Sequence, residues 1–211
     1  VRASSGLAVN GLAWQASPAL TEVEEVVVDW MRQMLGLSSA WSGVINDTAS
    51  TSSLVALLCA RERASDFSLA RGGLQQHERP LVVYTSPHSH SSVEKAASLA
   101  GFGKANVRAV PLDRVNAMQP DALAGMVRED RATGRRPCAI VATTGTTTST
   151  ALDPIDRLAD VAEANDLWLH VDAAMAGSAM ILPECRSMWH GVERAHSLVV
   201  NPHKWLGAVF D

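Results

Sequence analysis

Cysteine is scarce: three residues in 211, at positions 59, 138 and 185. The odd number leaves no complete disulfide framework, and no CxxC pair marks a structural zinc or a redox site. A reducing, cytoplasmic setting is the simplest reading. Long apolar runs are missing too. The best, Ala173 to Leu182, is broken by Gly177 and Ser178 and stops at Pro183, short of the roughly 18 to 20 residues that span a bilayer. No charged-then-apolar signal opens the chain. The net charge of −4 gives no electrostatic reason to expect nucleic acid or another polyanion as partner. No repeat, linker or low-complexity tract marks an internal domain boundary. No GxGxxG follows the first strand and no GxxxxGK occurs, which argues against a nucleotide-binding module; Gly101-Phe102-Gly103-Lys104 lacks the spacing.

What is present is an ordinary globular composition, 47% hydrophobic and 19% charged, at a length that fits one large domain. The chain starts at Val1 instead of methionine, and it stops directly after the apolar run Trp205 to Phe210, which reads as an interior strand. Both ends predict a fragment.

The segments alternate in type. Helices are expected from Pro18 to about Leu35, with Thr21 and Glu24 as a capping box and Gly36 as the stop. Others are expected from near Ser50 (with Leu54, Val55, Leu57 and Leu58 turned inward), over Ser91 to Leu99, Asp121 to Thr133, and Pro154 to Asn165. Short apolar runs at Leu81–Tyr84, Val107–Val110, Ala139–Ala142, Trp168–Val171 and Leu198–Val200 read as strands. The third lacks alternation and is therefore buried on both faces. Strands separated by helices imply an α/β fold, a mainly parallel sheet with helices on both faces. Ligands of such sheets sit beyond the carboxyl ends of the strands.

Four loops carry chemistry. Lys204 follows a buried strand in Asn201-Pro202-His203-Lys204-Trp205. Desolvation there would favour a neutral amine that attacks an aldehyde; the alternative is a lysine whose head reaches water. Asp172 ends the strand Trp168-Leu169-His170-Val171, and small Ala173 and Ala174 follow it. Its carboxylate can pair with a protonated ring nitrogen, or simply cap a helix. Asn46-Asp47-Thr48-Ala49-Ser50-Thr51-Ser52-Ser53 crowds hydroxyls at a helix N-terminus, an arrangement suited to phosphate. His88 and His90 occupy a fourth turn. One of them can lie flat on a ring and act as acid or base, while a metal reading lacks a third ligand. The loop Thr143 to Thr150 adds threonines and Gly145 at the same edge.

Together the segments Asn201-Pro202-His203-Lys204-Trp205, His170-Val171-Asp172-Ala173-Ala174, His90-Ser91-Ser92-Val93-Glu94 and Gly145-Thr146-Thr147 resemble the group II pyridoxal-phosphate (PLP) dependent decarboxylases, the family of aromatic-L-amino-acid and histidine decarboxylase. The resemblance covers nearly the whole chain, in order. It implies the PLP-dependent transferase-like (fold type I) architecture, with residues 1–211 as a partial large cofactor-binding domain. The N-terminal segment, the C-terminal small domain and a mobile catalytic loop of the family would be absent. By resemblance, Lys204 forms the Schiff base with the PLP aldehyde, Asp172 pairs with the pyridine nitrogen, and His90 stacks on the ring near the substrate carboxylate. Thr48, Ala49 and Ser50 match the phosphate turn, assisted by Ser197, Asn201 and His203; Thr147 lies beside the cofactor and Ala174 packs on the ring. The family commonly has tyrosine where Met175 stands. The implied reaction is decarboxylation of an L-amino acid, aromatic in this branch, by a cytoplasmic homodimer with no metal, nucleic-acid or membrane partner. The rival readings are another PLP reaction on the same fold (aldehyde synthesis, transamination or cysteine desulfuration) and an inactive or purely interacting fragment.

Overall fold

The computed structural model describes residues 13–76 and 78–209. Five strands, β1 (Leu81–Thr85), β2 (Val107–Ala109), β3 (Arg136–Thr143), β4 (Trp168–Ala173) and β5 (Ser197–Val200), form one sheet in the order β2-β1-β3-β4-β5. All four pairings are parallel. The helices are α1 (Pro18–Met34), α2 (Ala49–Ala64), α3 (Ser91–Leu99), α4 (Pro120–Ala132), α5 (Ile155–Asn165) and the short α6 (Pro202–Trp205).

Both faces of the sheet are covered, and the period-two alternation of strand side chains decides which residue faces which layer. Val82, Tyr84, Ile140, Ala142, Leu169 and Val171 pack with Leu123 and Val127 of α4 and Leu158 and Ala162 of α5. Leu81, Val83, Ala139 and Val141 pack with Leu57 and Ala60 of α2 and Val93 and Ala97 of α3. In β3 every residue after Arg136 is buried, as its unbroken apolar run predicts. Buried polarity is paired: the Tyr84 hydroxyl donates to Asp130 Oδ2 at 2.7 Å, and Arg108 also bonds that carboxylate, tying β1, β2 and α4 together.

Several local expectations fail for identifiable reasons. Ser17 precedes α1, but its side chain makes no capping bond, and Glu24 instead accepts from the Ile45 N–H at 2.7 Å, so no capping box forms. Val55 is exposed, because Ser53, Leu57 and Ala60 occupy the inward stripe of α2. The run from Trp205 to Val209 is no strand: Trp205 ends α6 and the next residues are exposed. Phe210 lies outside the described residues. The strand ends were otherwise set slightly short, since Thr85, Thr143, Asp172 and Ala173 continue the ladders.

The strand order positions the site. From β1 the chain crosses outward to β2, whereas β3, β4 and β5 progress in the other direction. A crevice opens beyond the carboxyl ends where the winding reverses, between β1 and β3.

Candidate active site

A cleft of about 170 Å³ lies at that edge, and its lining comes from every loop expected to matter. Thr48, Ala49 and Ser50 enter from α2, His90 and Ser92 from the turn after β1, and Thr143, Gly145 and Thr147 from the end of β3. Asp172, Ala174 and Met175 come from β4, and Asn201, His203 and Lys204 from the turn after β5. Ten of the eleven residues expected at the site thus share one cleft. The eleventh, Ser197, does not line it. It is the first residue of β5, paired with His170, and its hydroxyl lies 2.8 Å from both Trp168 Nε1 and His170 Nδ1. The resemblance gives Ser197 a part in holding the phosphate, whereas its position at the start of β5 lies toward the opposite edge from the cleft.

At the N-terminus of α2, Thr48 is the cap, its Oγ1 accepting from the Thr51 N–H at 3.2 Å. The N–H groups of Ala49 and Ser50 have no intrahelical acceptor, so they and the hydroxyls of Thr48 and Ser50 present donors to the cleft. Asp47, whose carboxyl a hydrogen bond from Thr51 holds below the usual range, lines the neighbouring groove instead of the cleft. Gly145 sits at φ +79°, and a Cβ there would come within 2.5 Å of the Ala176 methyl. Only glycine lets the β3 and β4 loops approach this closely.

Asp172 is 6% exposed. Its Oδ1 accepts from the Ala174 N–H at 3.1 Å, the local turn that a capping reading anticipates, yet no cationic side chain pairs with it among the described residues. His170 does not serve as one. It is buried, and that burial pushes its pKa down to about 4, so at neutral pH it is uncharged. A buried carboxylate without a counter-charge is costly, and it faces a cleft able to supply one. Thr143 adds a second unmet group: its buried Oγ1 has no hydrogen-bond partner, while its N–H donates to Asp153 Oδ2 at 2.8 Å.

Lys204 is exposed at the cleft, so the desolvation expected from its place after a buried strand is not met. Ser92, Thr143, Gly145 and Met175 complete the lining without having been chosen as site residues. Their signal was positional, since each follows or ends a strand whose loop was already singled out. No cluster of histidine, cysteine or carboxylate able to hold a metal occurs among the described residues, and no helix among them is long and apolar enough to cross a membrane.

The pyridoxal-dependent decarboxylase conserved domain matches residues 4–211. The chain belongs to this family. Tryptophan decarboxylase 2 of Oryza sativa subsp. japonica is 44% identical over 99% of this chain and 42% of its own length. Phenylacetaldehyde synthase of Arabidopsis thaliana is 40% identical over 99% of this chain and 43% of its own length. The crystal structure of Oryza sativa TDC with PLP and tryptamine superimposes with a TM-score of 0.90 at 40% identity, covering 97% of this chain and 43% of that one. The chain therefore spans less than half the length of these pyridoxal-family relatives. The donor set fits PLP in three places: free N–H groups and hydroxyls for a phosphate, an uncompensated buried carboxylate for a ring cation, and a primary amine for an aldehyde.

Proposed function

We propose that this chain is the large cofactor-binding domain of a PLP-dependent decarboxylase that converts an aromatic L-amino acid into its amine and carbon dioxide. The observation that carries the reading is Asp172: a buried carboxylate, open to the cleft, with no cation paired to it among the described residues and with Lys204 lining the same space. The similarity to aromatic decarboxylases supports the substrate class.

PLP, when bound, acts as an electron sink for the pair left behind when the carboxylate departs. The residues supply the rest. Lys204 offers the amine that holds the aldehyde carbon. Asp172 keeps a proton on the ring nitrogen by placing its negative charge beside it. The N-terminus of α2, with Thr48 and Ser50, neutralises the phosphate, assisted by Asn201 and His203. Thr147 and Ala174 line the ring's place, and His90 covers its face near the substrate. By the family resemblance the enzyme is a cytoplasmic homodimer. The exposed apolar residues of α1 are what a further contact would cover.

The test is borohydride fixation of added PLP followed by peptide mass spectrometry, together with product analysis of the full-length protein. The label is expected on Lys204 and the product is expected to be an amine. Asp172→Asn is expected to lower kcat by about 3 kcal/mol of transition-state stabilisation while leaving the label in place. A label on another lysine rejects the site, and an aldehyde product moves the enzyme to the synthase reaction.

A further inference from the structure

His90 caps α3, and its ring is held from one side only. The Ser92 N–H donates to His90 Nδ1 at 3.2 Å, and the Ser92 hydroxyl lies 2.8 Å from the same nitrogen. A backbone N–H is an obligatory donor, so Nδ1 accepts and carries no proton. With Nδ1 bare, the hydroxyl contact has one sense: Ser92 Oγ–H donates as well. Two donors thus converge on one ring nitrogen, and the proton of the neutral imidazole is confined to Nε2. Nε2 has no partner among the described residues, and His90 lines the cleft. Ser92 is buried at the base of this arrangement, where its side chain is held in place.

We infer that Ser92 is a positioning residue that sets the tautomer of His90, so that His90 presents an Nε2–H donor to the cleft. The consequence is a choice between the two roles open to a histidine there. An Nε2–H imidazole is a hydrogen-bond donor to an anionic group such as an α-carboxylate, and it is not a base at that nitrogen. What the donor meets in the cleft rests on the function proposed above; the tautomer does not.

The measurement is nitrogen NMR of protein carrying isotope-labelled histidine, recorded with and without PLP, with His90 assigned through His90→Gln. In the unaltered protein Nδ1 is expected to resonate as a bare acceptor and Nε2 as a protonated nitrogen. Ser92→Ala keeps the backbone donor and is expected to keep Nδ1 bare, whereas Ser92→Pro, in the first turn of α3, removes that donor and is expected to raise the share of the Nδ1–H tautomer about fivefold, the factor that one ordinary hydrogen bond supplies. Ser92→Thr retains both donors and is expected to keep the original pattern. Should Ser92→Pro not fold, the spectra of the unaltered protein and of Ser92→Ala carry the test. A proton on Nδ1 in the unaltered protein or in Ser92→Ala overturns the inference, as does a Ser92→Pro spectrum indistinguishable from that of the unaltered protein. The two readings fail separately. Loss of PLP fixation on Lys204 with the Nε2–H tautomer intact rejects the functional reading alone, and a wrong tautomer with fixation intact rejects this inference alone.

Discussion

His170 lies two residues before Asp172 on the same face of β4, enclosed so fully that burial pushes its pKa from 6.5 to about 4. Asp153 bridges the backbone N–H groups of Met118 and Thr143, each at 2.8 Å, and burial pushes its pKa from 3.8 up to about 6. These two groups pull stability in opposite directions. The folded state disfavours charge on His170, so its contribution is present above the unfolded pKa and is lost as pH falls from about 6.5 towards 4. The folded state also disfavours charge on Asp153, so its contribution is greatest below the unfolded pKa and is lost as pH rises from about 4 to 6. Each shift corresponds to about 3 kcal/mol at most, and the windows overlap. Between pH 4 and 6 the two slopes largely cancel in the unaltered protein. In His170→Asn only the Asp153 slope remains, so the variant is expected to gain stability relative to the parent on acidification through this window. Urea midpoints measured at several pH values check it, and parallel pH profiles for the two proteins would remove His170 from the account.

At the scale of elements, the loop from β3 to α5 is where backbone geometry and site geometry meet. Gly145 combines a left-handed φ of +79° with so little space that an added Cβ would come within 2.5 Å of the Ala176 methyl. Gly145→Ala is therefore expected to cost about 1–3 kcal/mol of stability, and to weaken PLP binding more than that loss explains, because the loop carries Thr143 and Thr147 into the cleft. Equilibrium unfolding and PLP titration measured side by side separate the two effects. A variant with unchanged affinity would make this loop a bystander. The same elements show what a sequence discloses and what it hides. Strands such as β3 were legible because an unbroken apolar run can only be buried on both faces, and the strand ends and loops after them held seven of the expected cleft residues, the N-terminus of α2 the other three. Ser197, carried over by resemblance alone, begins β5 and does not line the cleft, because a resemblance in sequence does not state which end of a strand a residue occupies. The capping box at Thr21 and Glu24 failed because a contact 21 residues away, Glu24 with the Ile45 N–H, displaced the local one. The exposure of Lys204 depends on which segments pack over the cleft, a property that no local pattern encodes.

The molecule as a whole is unevenly covered. Its sheet is sealed by helices on both faces, yet α1 buries none of its seventeen residues, and Val23, Val26, Trp30 and Met34 all stand exposed. Beside α1 runs a groove of about 850 Å³ lined by Val28, Met31, Leu35, Trp41, Leu198 and Val200. The groove includes β5, an edge strand of the sheet among the described residues. Apolar surface of this kind next to an unpaired strand edge drives association. The 211-residue chain by itself is therefore expected to self-associate at micromolar concentrations and to unfold with low cooperativity. Double substitution Val26→Lys and Trp30→Glu puts charges on that surface without touching any residue of the cleft. It is expected to shift sedimentation towards the monomer while leaving PLP fixation on Lys204 unchanged. Analytical ultracentrifugation across a dilution series, with borohydride labelling on the same samples, reads both. A monodisperse parent chain would mean that the α1 surface is satisfied within the chain. Loss of labelling in the double variant would mean that α1 supports the cleft as well as the exterior.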